Sequence, residues 1–169
     1  MYPRLIVDLS KLKANLDAVA KITKEQGNCS LMIVTKGLCA DKEMAKMVAN
    51  HLAVDFMADS RVANIKTYEK LAREQGKKTV LLRIPMHEEV ADVVKYVDLS
   101  FNSELSTLRL LNEAAGEIGV KHNVLLMIDL GDLREGIFVQ DENQIFTLSL
   151  IHILCNFFCV FSKKCIWAT

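Results

Sequence analysis

The sequence predicts an α/β protein assembled from repeated βα units around a parallel sheet. Three observations carry this. Short runs dense in Val, Ile, Leu and Met recur along the first 136 residues, and they are apolar throughout rather than alternating, as strands buried on both faces are. Between them lie stretches whose apolar residues stand three and four apart, the spacing of an amphipathic helix. The strand-like runs recur at intervals of roughly 18–26 residues, which suits a strand plus a crossover helix.

The elements follow in order. Leu12, Leu16 and Val19 share one helical face behind Ser10, a candidate N-cap. The first strand is "SLMIVTK" (30–36). Asp41 then opens a helix with Met44, Met47, Val48 and Leu52 on one face. "VDFMADS" (54–60) is the second strand, and a helix through Val62, Ile65 and Leu71 stops at Gly76. "KTVLLRIP" (78–85) is the third strand, followed by a short β-branched helix through Val90, Val93, Val94 and Val97. "VDLSFNS" (97–103) leads into a helix through Leu105, Leu108 and Ala115 that runs toward Gly116 and Gly119, and "NVLLMIDLG" (123–131) closes the series. Two architectures fit this order, a doubly wound sheet and a (β/α) barrel. Both place function at the C-terminal ends of the strands.

Composition narrows the function classes. The chain has 169 residues, 51% hydrophobic and 25% charged, with a formal net charge of zero, which is the balance of a core-forming globular domain. No basic face argues for nucleic acid. The start, "MYPRLIVDLSKLK", has no signal-peptide pattern, and five cysteines in no metal spacing read as reduced thiols, so a cytoplasmic location is expected. His87 and His122 read as solvated and join no ligand set, and no metal site is expected. No Gly-rich turn follows the first strand, which argues against a dinucleotide fold. Gly131-x4-Gly136 lacks the Lys-Ser/Thr that a P-loop needs.

The strand ends concentrate polar chemistry. They read Thr35-Lys36-Gly37, Asp59-Ser60-Arg61, Arg83-Ile84-Pro85, Asn102-Ser103-Glu104 and Asp129-Leu130-Gly131. A sheet gains no stability from such a concentration, so these ends form the candidate site. Lys36 stands out because it ends an apolar run and is followed by a glycine. It can be a snorkelling surface charge, or a nucleophile made reactive by desolvation. Asp59, Ser60 and Ser103 can equally serve as helix N-caps at βα junctions.

Two segments carry a resemblance. "YPRLIVDLSKLKANLDAVAKI…LMIVTKGLCADKEMAKMV" followed by "VDFMADSRVANIKTYEKL" resembles the N-terminal barrel of the alanine racemase-like, fold-type III pyridoxal phosphate (PLP) enzymes, closest to the alanine/ornithine racemase branch. "IDLGDLREGI" (128–137) is similar to the fifth-strand "VDTGMGRLG" pattern of that family, with Asp129, Gly131, Arg134 and Gly136 at its spacing. The resemblance covers residues 2 to about 139. It implies the N-terminal portion of a (β/α)8 TIM-type barrel, truncated to about five βα units. Lys36 would then hold PLP as a Schiff base and take a proton from the substrate Cα, and Arg134 would bond the cofactor's phenolate oxygen. Asp59, Arg61, Asn102 and Ser103 would lie near the site, behind it or facing the substrate. The Tyr that often follows the family lysine is replaced here by Gly37, Leu38 and Cys39.

The implied activity is PLP-dependent racemisation of a small amino acid by a protein that is a homodimer at full length. The alternative is a non-catalytic PLP-binding homeostasis protein of the same barrel family. Those proteins usually end the second strand "GENR", whereas this chain reads "ADSR". The second acid/base and the phosphate-gripping loop have no candidate here, so the fragment is expected to be inactive and poorly soluble. Domain organisation reads as 1–140, a partial PLP-binding barrel, and 141–169, a hydrophobic tail outside the family pattern, attributed to a frameshift or chimera. From Asn143 to Ser162 there is no Asp, Glu, Lys or Arg, a length that would suit one membrane span. Asn143, Gln144, His152 and Asn156 argue against that span.

Overall fold

The computed structural model describes residues 3, 6–131, 133–154 and 165–168. Five strands, β1 (Ser30–Val34), β2 (Phe56–Asp59), β3 (Lys78–Leu81), β4 (Leu99–Asn102) and β5 (Asn123–Leu126), lie parallel in the order β5-β4-β3-β2-β1. A four-residue strand, β8 (Cys165–Ala168), adds to the free edge of β1, pairing Ser30 with Cys165. A small parallel pair, β6 (Ile128–Asp129) and β7 (Ile137–Phe138), stands beyond β5. The helices are α1 (Leu9–Ala20), α2 (Lys42–Asn50), α3 (Val62–Glu74), α4 (Val90–Tyr96), α5 (Leu105–Glu117) and α6 (Glu142–Leu154).

Strand order and layering decide between the two architectures. Each of the five strands pairs with the next in sequence, without the reversal that defines a doubly wound sheet. The helices pack on one face, where Leu31, Met57, Leu81, Val124 and Leu126 join Leu16, Val48, Ile65, Val93 and Leu111 in one core. The other face carries strand residues alone among those described: Met32, Ala58, Val80, Leu99 and Phe101, flanked by Val34, Phe56, Leu82, Leu125 and Met127. A sheet with its helices on one side and apolar residues on the other is a barrel wall.

Local chemistry explains the boundaries and corrects several expectations. The cap of α1 is Asp8 and not Ser10: its carboxylate accepts from the Ser10 and Lys11 amides, and the Ser10 hydroxyl donates to the same oxygen. Asp41 caps α2 as expected, accepting from Glu43 and Met44. That helix ends at Asn50, with an extended His51 behind it, so Leu52 falls off the apolar face and is 96% exposed. Gly76 sits at φ +69 just past α3, the left-handed position a glycine fills without a Cβ clash. His122, expected to be solvated, is buried at 3% exposure, because the turn into β5 folds it against Ser100. The proposed span over 143–162 falls partly outside the described residues, and among those described no helix is long and apolar enough to cross a membrane.

Candidate functional site

The C-terminal ends of β1–β5 share one rim. β1 stops at Val34, and the chain turns at once into a 3-10 turn, Lys36–Leu38. Thr35 is fully buried and anchors this turn. Its amide donates to the Ala58 carbonyl on β2 at 2.8 Å, and its carbonyl accepts from Leu38 and Ala40. Lys36 is exposed, so its expected desolvation is not supplied by the described residues, and none of their carboxylates lies in ion-pair range of it. Gly37 is not demanded by sterics, since a Cβ there would meet nothing within 4 Å. The backbone strain falls instead on Cys39 and Ala40, at φ 50 and 54.

Asp59, at the end of β2, is fully buried on the helix side. Its Oδ1 accepts from the Arg61 amide at 2.9 Å and the Asn64 side chain at 3.1 Å, and its Oδ2 accepts from the Thr35 hydroxyl at 2.8 Å. It therefore ties the ends of β1 and β2 to the start of α3. Arg61 occupies the N-cap position of α3 and is exposed. Asn102, also fully buried, alternates with Phe101 and so lies on the helix side, donating to Ser100 Oγ at 3.0 Å. Its Oδ1 has no partner among the described residues. Ser103 is buried at the end of β4.

Arg134 stands exposed on the turn between β6 and β7. That turn is built by its glycines and by Asp129, which accepts from the Gly131 and Leu133 amides. Gly136 has φ +114, and a Cβ on it would come within 2.8 Å of the Asp129 amide nitrogen, so only glycine fits. The spacing Gly131-x4-Gly136 is thus a turn requirement that presents an arginine.

The structure brings three exposed cations, Lys36, Arg61 and Arg134, to the rim, and buries Asp59, Asn102 and Ser103 beneath it. Arg83 was marked by the sequence only as a strand-end residue, without its partners, and Tyr68 escaped sequence reasoning. Arg83, at the end of β3, donates to the carbonyls of Ser60 and Ile84 and pairs in a fork with Glu89. Tyr68, on α3, is buried with its hydroxyl 3.4 Å from that of Thr35, and burial pushes its phenol well above its ordinary pKa. Tyr68 reads as core from its helical spacing, and nothing local marks the hydroxyl's partner.

Chemically the rim offers an exposed primary amine on the first turn past β1, whose strand carries apolar side chains. A primary amine is the side-chain group that can attack a carbonyl carbon. A one-sided β/α wall with a rim lysine defines a barrel-type domain, and the comparisons give its family. Residues 7–153 match the alanine racemase N-terminal domain, and the chain belongs to that family.

Its similarities are graded. An ornithine racemase of Acetoanaerobium sticklandii is 44% identical over 142 residues, covering 84% of this chain and 38% of that protein. A lysine racemase of Thermotoga maritima is 28% identical over 163 residues, covering 94% and 45%. The chain thus spans less than half the length of these curated relatives. Among solved structures, an alanine racemase of Clostridium difficile 630 superposes at a TM-score of 0.74 with 23% identity, covering 89% of this chain and 39% of that one. PipY of Synechococcus elongatus PCC7942, with PLP bound, superposes at 0.61 with 16% identity over 83% of this chain and 63% of that one. These structures share the fold, which is the N-terminal part of a TIM-type barrel.

Proposed function

We propose that the chain is the cofactor-anchoring part of a PLP-dependent amino-acid racemase of the alanine/ornithine type, in which Lys36 holds the cofactor. The observation that supports it most is the position of Lys36: an exposed amine without a carboxylate partner among the described residues, on the first turn past β1, where barrel sites lie. The residues fit PLP in part. Lys36 would take its aldehyde carbon, Arg134 would face its phenolate oxygen, and the apolar side chains of Val34 and Phe56 line the strand face beside it. Arg61 would add positive charge, with Asp59, Asn102 and Ser103 holding the rim from behind.

PLP, when bound, supplies the electron sink that makes the substrate Cα–H acidic. The chain's own part is the proton. Lys36 Nζ would act as the base on one face of Cα. Delivery to the opposite face needs a second acid/base, for which the described residues offer no candidate. The 169-residue chain alone is therefore proposed to bind cofactor without turning substrate over. The substrate is proposed to be a small amino acid, with ornithine favoured by the relative at 44% identity.

The test is borohydride reduction after incubation with PLP, followed by peptide mass mapping. A pyridoxyl group on Lys36 is expected. Protein made from the complete gene should then carry solvent deuterium into Cα of ornithine. Cofactor bound to Lys36 with no exchange into any amino acid would favour the non-catalytic PLP-binding reading instead.

A further inference from the structure

We propose that Tyr68, Thr35 and Asp59 form a buried brace that positions Lys36, acting through the turn on which the lysine stands. The inference rests on the reading of Lys36 as the cofactor anchor. Lys36 itself is exposed and makes no described ion pair, so nothing bonded to its side chain fixes where its amine sits. Its position must come from its backbone. That backbone lies in a turn containing two successive left-handed residues that are not glycine, Cys39 and Ala40. Each such residue is strained, and strained turns persist only where their surroundings over-determine them.

Thr35 supplies that constraint. Its amide is bonded to β2, its carbonyl receives Leu38 and Ala40, and its hydroxyl donates to Asp59 Oδ2. The hydroxyl has one proton, and Asp59 at 2.8 Å is the better acceptor. The Tyr68 hydroxyl is then the donor to Thr35 Oγ1 at 3.4 Å. Asp59 is in turn held by Arg61 and Asn64 at the start of α3. All three members are buried: Thr35 and Asp59 completely, Tyr68 at 2%. A hydrogen-bonded chain in so dry a place resists rearrangement, and it runs from α3, through the end of β2, into the residue next to Lys36.

The opposite rim provides a matched control. Thr79 is equally buried at the start of β3, and its hydroxyl lies 2.9 Å from Asp98 Oδ2, a like threonine–aspartate pair at the other end of the strands from Lys36, with Lys78 as its neighbour. Thr35→Val and Thr79→Val remove the same hydroxyl at the same burial. Both should lower the urea midpoint. Only Thr35→Val should slow formation of the borohydride-fixed pyridoxyl group on Lys36, by roughly 10–100-fold, and speed hydrogen exchange at the Leu38 and Ala40 amides. Thr35→Ser should restore both, and Tyr68→Phe should lie between.

Each outcome is decisive. Normal labelling in the parent chain and in Thr35→Val alike overturns the brace alone. Equal slowing in Thr35→Val and Thr79→Val overturns it too, since the effect is then general stability. No label on Lys36 in the parent overturns the functional reading, and the brace with it.

Discussion

At the N-terminal rim of the sheet the carboxylates of Asp55 and Asp98 are occupied with backbone. Asp55 accepts from the Leu31 amide at 2.7 Å and pairs with Lys24, so the start of β1 is pinned to the turn before β2. Asp98 accepts the Thr79 amide and hydroxyl, pinning the start of β3 to that of β4, and its carbonyl receives the Asn123 side chain. At the C-terminal rim the polar groups divide into two tiers. Asp59, Thr35 and Asn102 are buried and bonded, while Lys36, Arg61 and Arg134 stand in solvent above them. The lower rim is chemistry used for stability. The upper rim holds cations whose exposure gives the fold little, carried by turns whose construction is costly.

The largest expected effect that would break this contrast is at Lys36. Lys36→Ala should abolish pyridoxyl labelling while moving stability by no more than about 0.5 kcal/mol, as surface substitutions do. Asp98→Ala should do the reverse, costing about 1–3 kcal/mol by leaving the Thr79 amide unpaired and keeping the label. Urea denaturation and labelling on the two variants decide the matter, and a Lys36→Ala variant that unfolds would make the lysine structural.

A second test uses pH. His122, in the turn before β5, bonds Ser100 Oγ at 2.8 Å, and burial lowers its pKa to about 4 from the usual 6.5, against the opposing pull of the Val97 backbone and Asp98. The unfolded chain therefore takes up the proton first. Between about pH 6.5 and 4 it binds more protons than the folded chain, and stability falls as pH falls, by up to about 3 kcal/mol. His122→Gln should flatten that part of the stability profile. An unchanged slope would show that the lower rim's titration lies elsewhere.

The third concerns the turn that presents Arg134. Gly136→Ala faces both an unfavourable φ and a Cβ 2.8 Å from Asp129 N, whereas Gly131→Ala meets nothing within 4 Å and suffers only its φ of +117. Strain of this kind costs about 1–3 kcal/mol per residue. Gly136→Ala should be the worse of the two, read by urea denaturation and by exchange of the Ile137 amide, which donates to Met127. Equal effects would remove the close approach as the reason for this glycine.

Much of the wall was legible in sequence, and the reasons are local. All-apolar runs mark strands covered on both faces, and Asp41 and Gly76 announce helix ends through chemistry within a few residues. Two things were not legible. Strand order and the one-sided placement of helices depend on which strands meet, which no short window contains. His122 and Tyr68 owe their roles to Ser100 and Thr35, 22 and 33 residues away. For the site, Lys36 and Arg134 could be singled out because strand-end and glycine spacing are sequence features. The burial of Asp59 and Asn102 on the helix side could not, because where a run ends decides which face its last residue takes.

The smallest effect on stability, and the finest division of the upper rim, comes from its two arginine types. Arg83 is clamped by two carbonyls and a forked pair with Glu89, whereas Arg134 is exposed on its turn. Arg134→Ala should leave the urea midpoint unchanged within about 0.5 kcal/mol, and it should shift the absorbance of bound PLP, because the group proposed to face the phenolate oxygen is lost. Arg83→Ala should show the opposite pattern, a cost of about 1–3 kcal/mol from unpairing Glu89 and the carbonyls with an unchanged spectrum. If Arg134→Ala destabilises the chain and leaves the spectrum alone, its turn belongs with the lower rim's structural staples. The positive charge near the cofactor would then have to come from Arg61.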